Sequence, residues 1–215
     1  MLIFGAKGFA KEVLEICHQC EDLKNLVFYD DINLDIGTHL FNQFKILKNI
    51  KEAKHYFETE DCRFTIGIGN PYLRYKLFEK FSMIGGEYSS TISPNAKIGS
   101  YDVDIGNGTN ILSNAILSNS VKIGKGCILY YNVIVTHDCI VGDFVELSPN
   151  ATLLGRVDVG NFSHIGANAT ILPNLKIGKN VVVGAGAVVT KDLPDNCCAV
   201  GIPAKIIKNL VPLKL

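Results

Sequence analysis

From Ile105 to Val189 every sixth residue is Ile, Leu or Val, without a break. A second set lies two positions before each of these, running from Val103 and Thr109 through Cys127 and Cys139 to Ala187, and its members are small or β-branched with few exceptions. Alternate residues of a strand share a face, so both sets point inward and the residue between them points out. Six residues then form one short strand and a corner. Three such sides predict a triangular coil of 18 residues, a parallel β-helix built from hexapeptide repeats. Ile92 and Ile98 extend the pattern backwards, with one extra residue near Tyr101. Glycine follows the aliphatic residue at Gly106, Gly124, Gly142, Gly160 and elsewhere, and is expected to supply corners with unusual dihedrals. Cys127 and Cys139 read as small core residues. Leu112, Ile116, Ile128, Tyr130, Tyr131 and Ile134 fall at outward positions and predict packing against other subunits, or in part against the rest of the chain.

Residues 1–88 lack this period. "LIFGAKGFAKEVLEIC" reads strand, glycine loop, helix; "LVFYDD" is a second strand ending in acids; "RFTIGIGN" is a third; "PYLRYKLFEKF" is a helix opened by Pro71. This β-α-β order predicts an α/β, Rossmann-like domain over 1–88, followed by the β-helix and a C-terminal tail over 89–215. The loop from Gly5 through Lys7 to Gly8 would present backbone N–H groups at a helix N-terminus, where phosphate binds. It lacks the complete G-x-G-x-x-G, so the loop alone does not establish a dinucleotide site. Asp30 and Asp31 end the second strand, where such folds read a sugar or base. Tight strand–helix turns and strand ends also use glycine and acids for purely structural reasons.

Bulk properties narrow the classes. The chain has 215 residues, zero formal net charge, 47% hydrophobic and 20% charged residues, which fits an ordinary soluble protein of one or two domains. Neutral balance without a basic run argues against nucleic acid as a partner. No apolar run is long enough to span a membrane, and "MLIFGAKGFAKEV" is too glycine-rich for a signal peptide. The seven cysteines therefore read as reduced thiols of a cytoplasmic protein. Cys17 and Cys20 have metal-ligand spacing, but no second pair follows, so a helix carrying two cysteines is the simpler reading.

The ordered set "IFGAKGFAKEVLEI", "FYDD", "IGN" at 68–70, "HDCIVGDFVELSPNATLLG" at 137–155 and "GAGAVVTKDLPDN" with "GIPAK" at 184–205 resembles the NeuD/PglD-type sugar O- and N-acyltransferases over essentially the whole chain. The resemblance implies a left-handed β-helix, a trimer, acetyl-CoA bound between neighbouring subunits, and a nucleotide-linked amino sugar held by the first domain. It implies His137 as the base, Asp138 as the group that orients it, and Gly155 as an N–H donor to the acetyl carbonyl. One 18-residue coil does stack Gly155 above an outward-pointing His137. Ala167, Gly184 and Ala185 match coils along the coenzyme A path, and Lys205 of "GIPAK" could meet its phosphate or only water. Gly5, Lys7 and Gly8 match the phosphate loop, Asp30 and Asp31 the acids near the base, and Asn70 the same sheet edge.

One position departs from the pattern. Many family members carry a second histidine nine residues after the first; here Glu146 stands there. An ionised carboxylate cannot donate a hydrogen bond, and its charge opposes an oxyanion. Glu146 could bind the acceptor's amino group as a cation, lie away from the site, accompany a differently placed thioester, or mark lost activity; the first is favoured. The leading expectation is N-acetylation of a nucleotide-linked 4-amino sugar for bacterial surface glycans. The alternatives are O-acetylation of sialic acid or a related sugar, and a non-catalytic nucleotide-sugar-binding protein. A zinc carbonic anhydrase on this fold needs three histidines, and the repeats offer only His137 and His164, on different sides. Acyl transfer from a thioester calls for no metal.

Overall fold

The structure, a computed structural model, describes residues 1–214. The first domain runs β1 (Leu2–Phe4), α1 (Phe9–Gln19), β2 (Val27–Tyr29), β3 (His39–Leu40), β4 (Phe44–Leu47), α2 (Ile50–Thr59), β5 (Arg63–Ile66), α3 (Pro71–Ser82) and β6 (Glu87–Tyr88). Its sheet has the order β3-β4-β2-β1-β5-β6, parallel except for the β3–β4 pair. β1 sits centrally, with β2 on one side and β5 on the other, so the order reverses at its carboxyl end and opens the crevice where α/β sheets take ligands.

Local chemistry explains these elements. α1 buries Phe9, Ala10, Val13, Leu14, Ile16 and Cys17, a single apolar stripe at helical spacing. α3 starts where Pro71 supplies a fixed φ and the Asn70 side chain accepts a hydrogen bond from Leu73 N at 2.9 Å. The three strands and two helices read from the sequence are present; β3, β4 and α2 lie in a stretch where the sequence pattern gave no assignment. Cys17 is core, and burial pushes its thiol up to about 12.

The rest of the chain is a three-sided parallel β-helix. Two-residue strands stack coil on coil, as in Asn110–Ile111, Ile128–Leu129, Glu146–Leu147, His164–Ile165 and Val182–Val183 on the first side. The second side contains Ile116–Leu117, Ile134–Val135, Thr152–Leu153 and Thr170–Ile171; the third contains Lys122–Ile123, Ile140–Val141 and Asp158–Val159. The six-residue aliphatic row and its small partners fill one interior cluster, Cys127 and Cys139 included. At the end, Cys197–Val200 continues the first side and pairs antiparallel with Lys205–Asn209.

The corners correct one expectation. Left-handed residues recur at each corner from Asp102 to Gly186; asparagine is the commonest, as at Asn132, Asn150, Asn168 and Asn174, glycine serves at Gly108, Gly126 and Gly186, and the others include Asp138, Phe144, Arg156 and Phe162. The glycines that follow the aliphatic row, such as Gly106 and Gly124, are not in that conformation. Coil stacking requires them instead: a Cβ on Gly106 would stand 2.5 Å from Lys125 N, and one on Gly124 2.6 Å from the carbonyl carbon of Gly142.

The outward apolar residues divide. Leu112 and Ile128 are fully buried against α1 and β4 of the first domain, and Tyr130 and Tyr131 pack onto the same cluster, with Tyr130 5.0 Å from the Phe9 ring. These four hold the two domains together rather than joining subunits. Ile116 and Ile134 stay exposed, 40% and 36%, on the second side. Elsewhere Phe144 and Phe162 stack at 5.7 Å from left-handed corner positions and meet Tyr75 of α3 edge-on. No helix is long and apolar enough to cross a membrane among the described residues.

Candidate active site

His137 projects from the corner between the second and third sides, after the strand Ile134–Val135 and before Ile140–Val141. Its backbone carbonyl accepts from Arg156 N at 3.1 Å, and Asp138 N donates to Asn119 O at 3.3 Å, so coil stacking fixes this corner above and below. Asp138 adopts φ 59, a left-handed conformation that aspartate tolerates. That turn brings its carboxylate 2.7 Å from His137 Nδ1. A carboxylate only accepts, so Nδ1 carries the hydrogen, and in the neutral imidazole the lone pair is then on Nε2.

Gly155 stacks one coil further on, where a Cβ would lie 2.6 Å from Cε1 and 2.7 Å from Nε2 of His137. Among the described residues, Gly155 N–H has no acceptor, whereas its carbonyl accepts from Asn174 N at 2.9 Å. An exposed imidazole thus adjoins the unbonded amide of a glycine that lies buried beneath it. The pairing predicted from the 18-residue coil is therefore present in space.

Glu146 lies elsewhere. It sits on the first side, 8% exposed, at a cleft of about 360 Å³ between the domains, lined by Gly69, Asn70, Tyr72, Phe162, His164 and Asn180 among others. The corner that carries His137 is opposite this side, so one chain does not bring His137 and Glu146 together. Glu146 Oε2 is 3.7 Å from Nη1 of Arg74, and Oε1 has Ser148 Oγ at 3.4 Å and His164 Nε2 at 3.5 Å. Ser148 Oγ and His164 Nε2 are 2.8 Å apart. Arg74 is fully buried and donates to carbonyls of both domains: Ile68 and Gly69 in one, Gly126, Phe144 and Val145 in the other. Burial lowers its pKa, and the Glu146 carboxylate works against that shift.

Ala167, Gly184 and Ala185 occupy the corner between the first and second sides, a different edge from His137 and Gly155. Gly184 lies beneath the terminal hairpin, with a Cβ there 2.6 Å from Val200 Cγ1, and Lys205 stands exposed on that hairpin.

In the first domain, Gly8 caps α1 at φ 40 with no side-chain cap, leaving the helix N-terminus open to an anion. Gly5 reaches φ 90 and packs beside β5, a Cβ there being 3.3 Å from Gly67 O. Lys7 Nζ pairs with Asp35 at 2.9 Å on the surface. Asp30 is 5% exposed and accepts from Ala6 N, Ile32 N, Asn33 N and the Asn33 side chain. Its carboxylate therefore ties the Gly5–Gly8 loop to the loop after β2. Asp31 is the outer acid, accepting from Tyr29 OH at 2.8 Å with Lys80 3.5 Å away. Asn70 caps α3 and borders the cleft.

Arg74, Ser148 and His164 have no role in the reading of the sequence. Only one signal could have exposed His164: it is 18 residues after Glu146 and so directly above it, as the pairing of the two strands bears out. Arg74 lies in a helix segment rich in exposed charge and carries no such signal.

Known proteins supply a frame for this geometry. The model of the PglD N-terminal domain matches residues 1–81, and that of the bacterial transferase hexapeptide (six repeats) matches 156–191. No curated protein sequence matches. Among solved structures, PerB from Caulobacter crescentus, in complex with CoA and GDP-perosamine, is 30% identical, with a TM-score of 0.88, and covers 96% of each chain. WeeI from Acinetobacter baumannii is 32% identical over 96% of this chain and 98% of its own, with a TM-score of 0.86. The acetyltransferase domain of PglB from Neisseria gonorrhoeae, in complex with acetyl coenzyme A, is 27% identical over the same shares, also with a TM-score of 0.86. The β-helix is the left-handed kind, preceded by a Rossmann-like α/β domain. With this identity across nearly the full length of both chains, the protein belongs to the NeuD/PglD family of hexapeptide-repeat sugar acetyltransferases.

Proposed function

We propose that this protein transfers the acetyl group of acetyl-CoA to the amine of a nucleotide-linked 4-amino sugar, in the synthesis of bacterial surface glycans. The observation that carries this reading is His137, held at Nδ1 by Asp138 at 2.7 Å and lying over Gly155. Nε2 removes a proton from the amine as its nitrogen bonds to the acetyl carbonyl carbon. The Gly155 N–H stabilises the oxyanion that forms. Collapse of the tetrahedral intermediate breaks the carbon–sulfur bond, and the CoA thiolate takes the proton back from Nε2. Asp138 steadies the imidazolium throughout. Coenzyme A and GDP-perosamine in the related PerB structure support both substrate classes. The open N-terminus of α1 with Gly5, Lys7 and Gly8 would hold the diphosphate, which competes with Asp35 for Lys7.

The site as proposed is shared between chains of a homotrimer. Its base lies on one edge of the prism, the expected coenzyme residues Ala167, Gly184 and Ala185 on a second, and the acceptor cleft with Glu146 on the side opposite the base. A neighbour packed on the second side would unite them. Past Lys97 in its first strand, that side carries an uncharged outward row of Ile116, Ile134, Thr152 and Thr170, whereas the third side carries Asp104, Lys122, Asp158 and Lys176. A cytoplasmic setting agrees with unpaired, exposed Cys20 and Cys62.

The test is thiol release from acetyl-CoA with UDP-, dTDP- and GDP-linked 4-amino sugars and with free sialic acid. Rapid release with one nucleotide sugar, yielding an amide, is expected. Release with sialic acid alone would replace the reading by O-acetylation.

A further inference from the structure

The cleft contains a polar group that the transfer mechanism does not use. Glu146 is 8% exposed, yet its Oε2 makes no hydrogen bond among the described residues; Arg74 faces it at 3.7 Å but spends its N–H groups on five backbone carbonyls. Oε2 keeps a small solvent-accessible surface on the cleft, so a ligand hydroxyl can take the place of the water that would hydrate it. The oxygen is aimed at the cleft beside Gly69, where a Cβ would stand 3.2 Å from it. Gly69 lies two residues past Gly67, whose carbonyl borders Gly5 of the phosphate loop. A continuous strip of backbone therefore leads from the open end of α1 to the Glu146 carboxylate.

On the proposed N-acetyltransferase reading, we propose that Glu146, backed by Ser148 and His164, reads a hydroxyl of the acceptor sugar and determines which sugar is accepted. Arg74 offsets the charge of Glu146, so the subsite suits a neutral donor rather than a cation. Ser148 Oγ, 3.4 Å from Oε1 and 2.8 Å from His164 Nε2, braces the carboxylate. Val182, Leu213 and Phe162 supply apolar wall, while Asn70, Tyr72 and Asn180 line the cleft beside the carboxylate and His164.

The experiment compares wild type, Glu146→Gln and Ser148→Ala. Acceptors are the nucleotide-linked 4-amino sugar that supports turnover and analogues each lacking one ring hydroxyl. Wild type should discriminate against one analogue by about 10²-fold or more in kcat/KM, since a carboxylate left without its donor is penalised. Glu146→Gln should abolish most of that preference through the acceptor KM, leave the acetyl-CoA KM unchanged, and turn over that deoxy analogue as well as wild type does. Ser148→Ala, which removes only a hydroxyl, should weaken the preference partially. A Glu146→Gln enzyme with intact preference, or with its defect in the acetyl-CoA KM, overturns the inference while leaving the N-acetyltransferase reading standing. Absence of wild-type turnover with every amino sugar overturns both.

Discussion

A Cβ on Gly155 would stand 2.6 Å from Cε1 and 2.7 Å from Nε2 of His137, so the imidazole fills the space a side chain would take one coil away. Gly155→Ala should therefore push the ring off its position. The ring is the exposed end of a side chain, so the fold should tolerate the change, with Tm shifted by no more than about 4 °C. Misplacement of the base by about 1 Å should lower kcat by about 10²-fold. Steady-state kinetics beside a thermal melt separates the two effects.

His137→Ala should reduce kcat by about 10²–10⁴-fold, the usual contribution of a positioned base. The side chain is 53% exposed and contributes little packing, so stability and acetyl-CoA binding should remain. Unchanged turnover in this variant would remove His137 from the mechanism.

Arg74 joins two domains through carbonyls of both. Arg74→Met keeps most of the volume but strips those carbonyls of their donors and Glu146 of its counter-charge. Loss of about 3–5 kcal/mol is expected, as when a buried pair loses one partner. Chemical denaturation measures it; a loss under about 1 kcal/mol would mean that water replaces the guanidinium.

Ile116 and Ile134 are adjacent outward residues on the second side of the prism. Ile134→Asp places a charge in the proposed subunit contact and should yield monomers by sedimentation. Its turnover should be lost although His137, Asp138 and Gly155 are untouched. A trimer that survives the substitution would move the interface to another side.

The β-helix was legible because its core repeats: Ile105 through Val189 name both the period and the inward face. The same arithmetic stacked Gly155 on His137, and the structure agrees. What the period does not encode is which outward residues are covered. Ile128 and Ile116 hold the same position of the repeat, but one is buried by the first domain and the other faces out, because that domain docks on only one side. The glycines that follow the aliphatic row look like corner residues, whereas close stacking demands them and the corners belong to asparagine more often than to any other residue. In the site, Glu146 stood out by its residue type, but its neighbours Arg74 and Ser148 did not. Their roles depend on a long-range contact between α3 and two coils that no local pattern announces. Asp30 shows the same limit: the sequence marks a strand-ending acid, but not that its carboxylate accepts from Ala6 N and Asn33 N and so joins two loops.

The central claim is that the base and the acceptor cleft act from different chains. The direct measurement mixes two variants, His137→Ala and a Lys7→Glu, Gly8→Asp double variant, after unfolding and joint refolding. Each alone should be inactive, one for want of the base and the other because two carboxylates face the diphosphate. In a mixed trimer, one interface combines an intact base from one chain with an intact nucleotide loop from its neighbour. Activity that rises on mixing, toward a fraction of wild type, is the predicted result. Mixed trimers that stay inactive would contradict the account and place base and acceptor within a single chain.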